Sequence, residues 1–214
     1  MNVAELVNGG KTDINITLTA DIDLTGKDWT PIGTDYDNSY TGTFDGGGHT
    51  ITGLTVTTND KYAGLFGYLG NFNNAAATVK NVVMDGIQIT CNHRSGYAGG
   101  VAGYSWGTIE NCSVSGSISG TIYVGGVVGA QRDGSITGCS SSATVKGMVQ
   151  VGGVAGQTIF GATLTACYAT GNVIIEIDPI DNISGGGLVG FNDGISLLAC
   201  YATGNVTSTG SSTG

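Results

Sequence analysis

A short motif, Gly-Gly-apolar-apolar-Gly, recurs along the chain with a cysteine at a nearly constant distance behind it, and few features limit a fold more tightly. It reads GGVAG at Gly99–Gly103, GGVVG at Gly125–Gly129, GGVAG at Gly152–Gly156 and GGLVG at Gly186–Gly190, with a relative, AGLFG, at Ala63–Gly67. Between second positions the steps are 36, 26, 27 and 34 residues. Cys112, Cys139, Cys167 and Cys200 follow the four full copies, 12, 13, 14 and 13 residues after the second glycine, and Val82 takes the cysteine's place behind the relative. Six letters, CYATGN, occur twice, at Cys167–Asn172 and Cys200–Asn205. Repetition at this period means stacked copies of one supersecondary unit, each burying its apolar side against its neighbours.

Inside a unit the apolar side alternates after the cysteine, as in Ala169, Gly171 and Val173, and period two means strand. Ile109, Ile136, Leu164 and Leu197 each sit three residues before their cysteine, which breaks the alternation and predicts a bulge or corner between two strands. A step of about 26 residues suits one coil of a parallel β-helix, whose equivalent strands stack about 4.8 Å apart. Thirty-nine glycines, against only 2 prolines and 11% charged residues, fit the same picture, because sharp corners and close backbone contact between coils both call for glycine. A sandwich of hairpins predicts turns every 8–12 residues but no register that carries cysteine over cysteine. The expected fold is therefore all-β, a right-handed parallel β-helix of roughly seven or eight coils, with handedness taken from the rule for parallel crossovers. Residues 1–214 are expected to form one domain, with 1–62 as cap and first coils and 63–214 as the repeats. Ala4–Val7 is a candidate cap, and the Ser/Thr/Gly ending at Thr207–Gly214 reads as a segment cut from something longer, with an open end prone to end-to-end self-association.

The repeats resemble the GLUG repeat of bacterial extracellular proteins, whose core reads GLFG at Gly64–Gly67 and GLVG at Gly187–Gly190. Upstream, LTADIDLTGKDWTPIG at Leu18–Gly33 and YTGTFDGGGHTITGLTV at Tyr40–Val56 look like the segment that precedes such repeats in adhesin-like surface proteins and in non-catalytic parts of IgA-protease-family metallopeptidases. The resemblance implies a β-helix stalk or adhesive region, bacterial origin and export, and hence an extracellular or cell-surface location. It carries over no catalytic residue: neither His49 nor His93 begins the HExxH signature. The copies at Gly100 and Gly126 have valine where the family name expects leucine.

Seven basic against 16 acidic residues leave a net charge of -9, which disfavours nucleic acid and anionic lipid as partners, and no apolar run approaches a membrane span. The cysteine spacings match no zinc pattern, and parallel stacking holds neighbouring side chains too far apart for easy disulfides, so the expectation is a ladder of buried thiols, with Cys91 outside it and undetermined. Asp21, Asp23, Asp28, Asp35 and Asp37 lack the loop patterns that gather calcium ligands, and Asp45 beside His49 reads more simply as a turn cap than as a catalytic pair. No metal and no cofactor is expected. Candidate ligand-binding residues are Tyr168 and Tyr201, which should face outward one coil apart, and Glu176, Asp178 and Asp181 in an insertion near Ile174–Ser184 that projects as a loop. Rings in such a row can bind sugars, or else cover a flank or pair with a neighbouring chain. The functional expectation is a non-catalytic structural or adhesive segment that binds a host glycan or cell-surface protein. Its rivals are a polysaccharide-active enzyme, which needs clustered carboxylates, and an ice-binding protein, which needs more than the one Thr-x-Thr at Thr55–Thr57.

Overall fold

The computed structural model describes residues 3–73, 76–176, 183–193 and 196–209. Apart from one helix, α1 (Val3–Asn8), the described elements are short strands, and each pairs in parallel with its equivalent in the next coil. A coil passes four faces in turn. One complete coil runs Thr108–Glu110, Ser113–Ser119, Tyr123–Gly125 and Val128–Arg132. The first face stacks seven strands, from Ile16–Thr17 to Ser196–Leu198, and so encloses six complete turns. That is fewer than the seven or eight coils expected, because the long steps add residues within a coil rather than a rung: Tyr62 pairs directly with Tyr97, and Gln150 with Ser184.

The interior is built of ladders. On the first face Phe44, Val79, Ile109, Ile136, Leu164 and Leu197 stand one above another. On the second, Val56, Ile89, Ile118, Val145, Val173 and Val206 do the same. Each member short of the last rung is removed from water, which stabilises by roughly 1.5–3 kcal/mol per side chain of this size. At the near end α1 lays Ala4 and Val7 onto this core, and Asn8 ties it down by donating to the Pro31 carbonyl and accepting from the Gly33 amide.

The broken alternation before each cysteine is a one-residue corner. Asn81, Asn111, Gly138, Ala166 and Ala199 have φ of 55°, 51°, 63°, 53° and 54°, so a single left-handed residue turns the chain from the first face to the second. Asparagine and glycine take that conformation readily, whereas alanine is strained there by about 1–2 kcal/mol. Ala166→Gly is therefore expected to raise stability by about 1 kcal/mol, seen as a melting point higher by roughly 2–4 °C in calorimetry.

The repeat glycines answer to a different demand. None has a left-handed φ; their backbones are crowded. A Cβ at Gly100 would lie 2.6 Å from Val114 Cγ1 and 2.7 Å from the Gly126 carbonyl of the next coil, and one at Gly103 would lie 2.9 Å from Ala63 N and from the Tyr97 carbonyl. Glycine is what lets the third and fourth faces fold tightly against each other.

One expectation needs correction, and one open point is settled. Ile174–Glu176 do not project: they continue the second face, pairing with Lys146–Gly147 on one side and Thr207–Thr209 on the other, because Ile175 belongs to the inward-facing alternation. Cys91 lies outside the cysteine ladder as expected, but it is buried, with its thiol donating to the Asp60 carbonyl at 3.4 Å. No helix among the described residues is long and apolar enough to cross a membrane.

Candidate ligand-binding groove

Along the second face, just past the left-handed corner, the outward positions form two rows. Thr50, Val83, Ser113, Ser140, Tyr168 and Tyr201 are in register in one, and Thr52 pairs with Asp85 in the other, which continues through Ser115, Ser142 and Thr170. The serines are small between larger neighbours, so a shallow hollow of about 340 Å³ opens over them, bounded at one end by Tyr168. Inside it Ser115 donates to Asp85 Oδ1 at 2.6 Å and accepts from the Gly86 amide. Tyr168 and Tyr201 close the row with ring centroids 5.2 Å apart and planes within 4°, both exposed. The alternation after the cysteine places them there: Ala169 and Ala202 point inward, so the residue before each must point out.

The other candidates lie elsewhere. Glu176 is on the second face beyond the bend at Gly171 and pairs with Lys146 at 2.8 Å, beside a separate hollow lined by Thr90, Ser119 and Met148. Asp178 and Asp181 lie outside the described residues. Asp45 acts as a turn cap: it accepts from Asn81 Nδ2 and the Gly47 amide and pairs with Lys80, contacts that hold its carboxyl below the usual value. His49 turns instead to Asp21, whose carboxyl is lowered first by the Thr50 amide and then by His49. Among the described residues no group of three or more His, Cys, Asp or Glu is placed to hold a metal ion.

The ladder cysteines are free thiols, buried except for half-buried Cys200. They do more than fill space. Each donates to the carbonyl two residues back, Glu110, Thr137, Thr165 or Leu198, at 3.3–3.4 Å, and the sulfurs of Cys139 and Cys200 accept from the amides of Cys112 and Cys167. The four carbonyls also accept a backbone amide from the neighbouring coil, so what the thiols add is a partner for the Cys112 and Cys167 amides, which valine at 139 or 200 would not supply. Hydrogen bonding to the flanking Cys112 and Cys167, with burial, holds Cys139 firmly protonated.

A second aromatic feature escaped the sequence reading. Outward from the tight third and fourth faces, Tyr97 stacks on Tyr123 at 4.3 Å, Tyr68 on Tyr104 at 4.9 Å, and Tyr97 meets Tyr104 edge-on at 5.2 Å. Trp106 donates from Nε1 to the Tyr68 hydroxyl. The signal was present, since tyrosines flank the glycine motif on both sides in Tyr62-AGLFG-Tyr68 and in the run from Tyr97 to Tyr104. Without the tight corner nothing in the letters says that the two flanks meet.

Comparison with known proteins agrees with the repeat. Residues 95–119 and 120–146 match the GLUG motif, and these are two copies with valine in the core. The chain is 38% identical over 123 residues to halomucin of Haloquadratum walsbyi, covering 53% of this chain and 1% of that protein. It is 37% identical over 101 residues to a provisionally named Gly-rich membrane protein of Evansella cellulosilytica, covering 47% and 11%. The chain thus spans a small part of both relatives. Among solved structures it superposes on a provisionally assigned immunoglobulin A1 protease of Bacteroides ovatus with TM-score 0.76 and 24% identity, over 96% of this chain and 65% of that one, a likeness of fold.

Proposed function

We propose that this chain is a rigid, non-catalytic segment of an exported surface protein and that the hydroxyl-lined groove ending at Tyr168 and Tyr201 binds a neutral stretch of glycan. The observation that carries the reading is the Tyr168–Tyr201 pair, stacked with ring planes parallel to within 4° and centroids 5.2 Å apart, and solvent-exposed on the second face. Two stacked rings hold each other's orientation and leave their exposed edges and outer face as apolar surface for the C–H groups of a sugar ring, and the fixed backbone means little order is lost on binding. Beside them Ser113 and Ser140 present hydroxyls that bond to no other described residue. Similarity to halomucin and to a Gly-rich membrane protein supports a surface location. Cleavage would need two carboxyls facing one scissile bond, and the groove's lining holds one, Asp85, tied to Ser115.

Purified chain should bind a subset of a neutral glycan array saturably, with mass spectrometry of the eluates showing intact sugars. Tyr168→Ala and Tyr201→Ala should each weaken that binding about ten-fold, a loss of roughly 1.4 kcal/mol. Cleaved products, or undiminished binding by the double variant, would overturn the reading.

A further inference from the structure

On the opposite flank, where the fourth face turns into the first, the loops of successive coils stack Phe72, Trp106, Arg132 and Phe160 in a column. Phe72 meets Trp106 edge-on at 5.9 Å. The guanidinium carbon of Arg132 lies 4.6 Å from the centre of the Trp106 ring and 3.8 Å from that of Phe160. A guanidinium held between two rings has its plane fixed, and with it the direction of its N–H groups.

Three features of this arrangement are not needed by the solenoid. First, the chain has 16 acidic residues and 7 basic ones, yet Arg132 forms no ion pair with any described residue. The neighbouring Asp133 carboxylate is taken up by the Gly161 amide at 3.1 Å. Secondly, the Arg132 Nε is enclosed and without a hydrogen-bond partner among the described residues, while the guanidinium also lies against the Tyr104 hydroxyl, to which it donates. Thirdly, Phe160, which supplies one of the two rings, sits at φ 61° and is 58% exposed, while Phe72 at the other end of the column is 74% exposed. A bulky residue in the left-handed region is a rare conformation, held here where an asparagine or glycine would relieve it.

We infer that the Arg132 column is a binding site for the carboxylate of an acidic sugar, a uronic acid residue of a glycan, separate from the tyrosine groove and independent of it. The terminal Nη pair of Arg132 takes the two carboxylate oxygens in the guanidinium plane, the paired geometry for which arginine is suited and lysine is not. The carboxylate of a uronic acid is attached directly to the sugar ring, so the same residue can rest its C–H groups against the exposed rim of Phe160 beside the guanidinium. A peptide carboxylate on a flexible side chain would use the arginine and leave the ring bare, and for that reason the sugar is favoured.

The test is isothermal titration of the full chain with an oligosaccharide of alternating uronic acid and hexosamine, its carboxyl-reduced neutral counterpart, and an acidic peptide of equal charge. The acidic oligosaccharide should bind at least ten-fold more tightly than the other two, and the preference should shrink as salt is raised. Arg132→Gln and Arg132→Lys should both abolish the preference. Phe160→Gly provides the control for folding: it relieves the left-handed strain, so the protein should remain folded by circular dichroism while acidic-sugar binding falls. Equal binding of acidic and reduced sugars, peptide binding as tight as the sugar's, absence of binding, or full binding by Phe160→Gly would each overturn the proposal.

Discussion

Gly126→Ala is expected to destabilise the protein by about 3 kcal/mol, because the added methyl would be driven into backbone that has nowhere to move. A Cβ there would collide with the Gly153 carbonyl of the next coil and with Ser141 Oγ, and would lie 2.6 Å from Ser141 Cβ. Gly153 stands at the equivalent place one rung on and is itself pressed against the Gly187 carbonyl, so the rungs above transmit the strain rather than absorb it. For a chain of this length the melting point should fall by roughly 6–12 °C. Gly86→Ala is the comparison: Gly86 has φ 62° and nothing within 4 Å of its would-be Cβ, so only the left-handed penalty of about 1 kcal/mol applies. Equal losses for the two variants, measured by calorimetry, would show that the repeat glycines serve chain conformation and not the contact between faces.

Ile136→Ala should cost about 3–4 kcal/mol, the usual loss for emptying a fully enclosed site of this size. Ile136 is 0% exposed and lies between Ile109 and Leu164 in the first-face ladder, where neither neighbour can slide along a fixed hydrogen-bond register to fill the gap. Leu197→Ala removes a side chain from the same ladder two rungs on, yet Leu197 is 44% exposed and should cost under about 1 kcal/mol. Urea titration separates the cases, provided that the slope of the transition is unchanged, so that a shifted midpoint reports stability. Comparable losses would contradict the ladder as the source of stability.

The ladders could be read from the letters because stacking turns spatial register into sequence period: Ile109, Ile136 and Leu164 fall at equal distances from their cysteines. The tyrosine pair was legible for the same reason, since alternation beside an inward Ala169 and Ala202 fixes the direction of Tyr168 and Tyr201. The corner was visible only as a fault in the alternation. Its left-handed residue is Asn, Gly or Ala in different coils, and no single letter marks it. The Tyr97–Tyr104 contact and the Trp106–Arg132–Phe160 column were out of reach, because they depend on how sharply the third face folds onto the fourth and on where loops of unequal length return. Coil number was overestimated because residues added inside a coil look, in sequence, like part of another.

Because each coil bonds to its neighbours and to little else, tension applied along the axis loads the rungs one after another instead of all at once. The outermost coil gives way while those behind it stay whole. Freeing one of about 26 residues pays out roughly 90 Å of slack chain. A tether of this build lengthens in steps at modest force, and shortens again when the load drops and the freed strand finds the exposed rung waiting as its template.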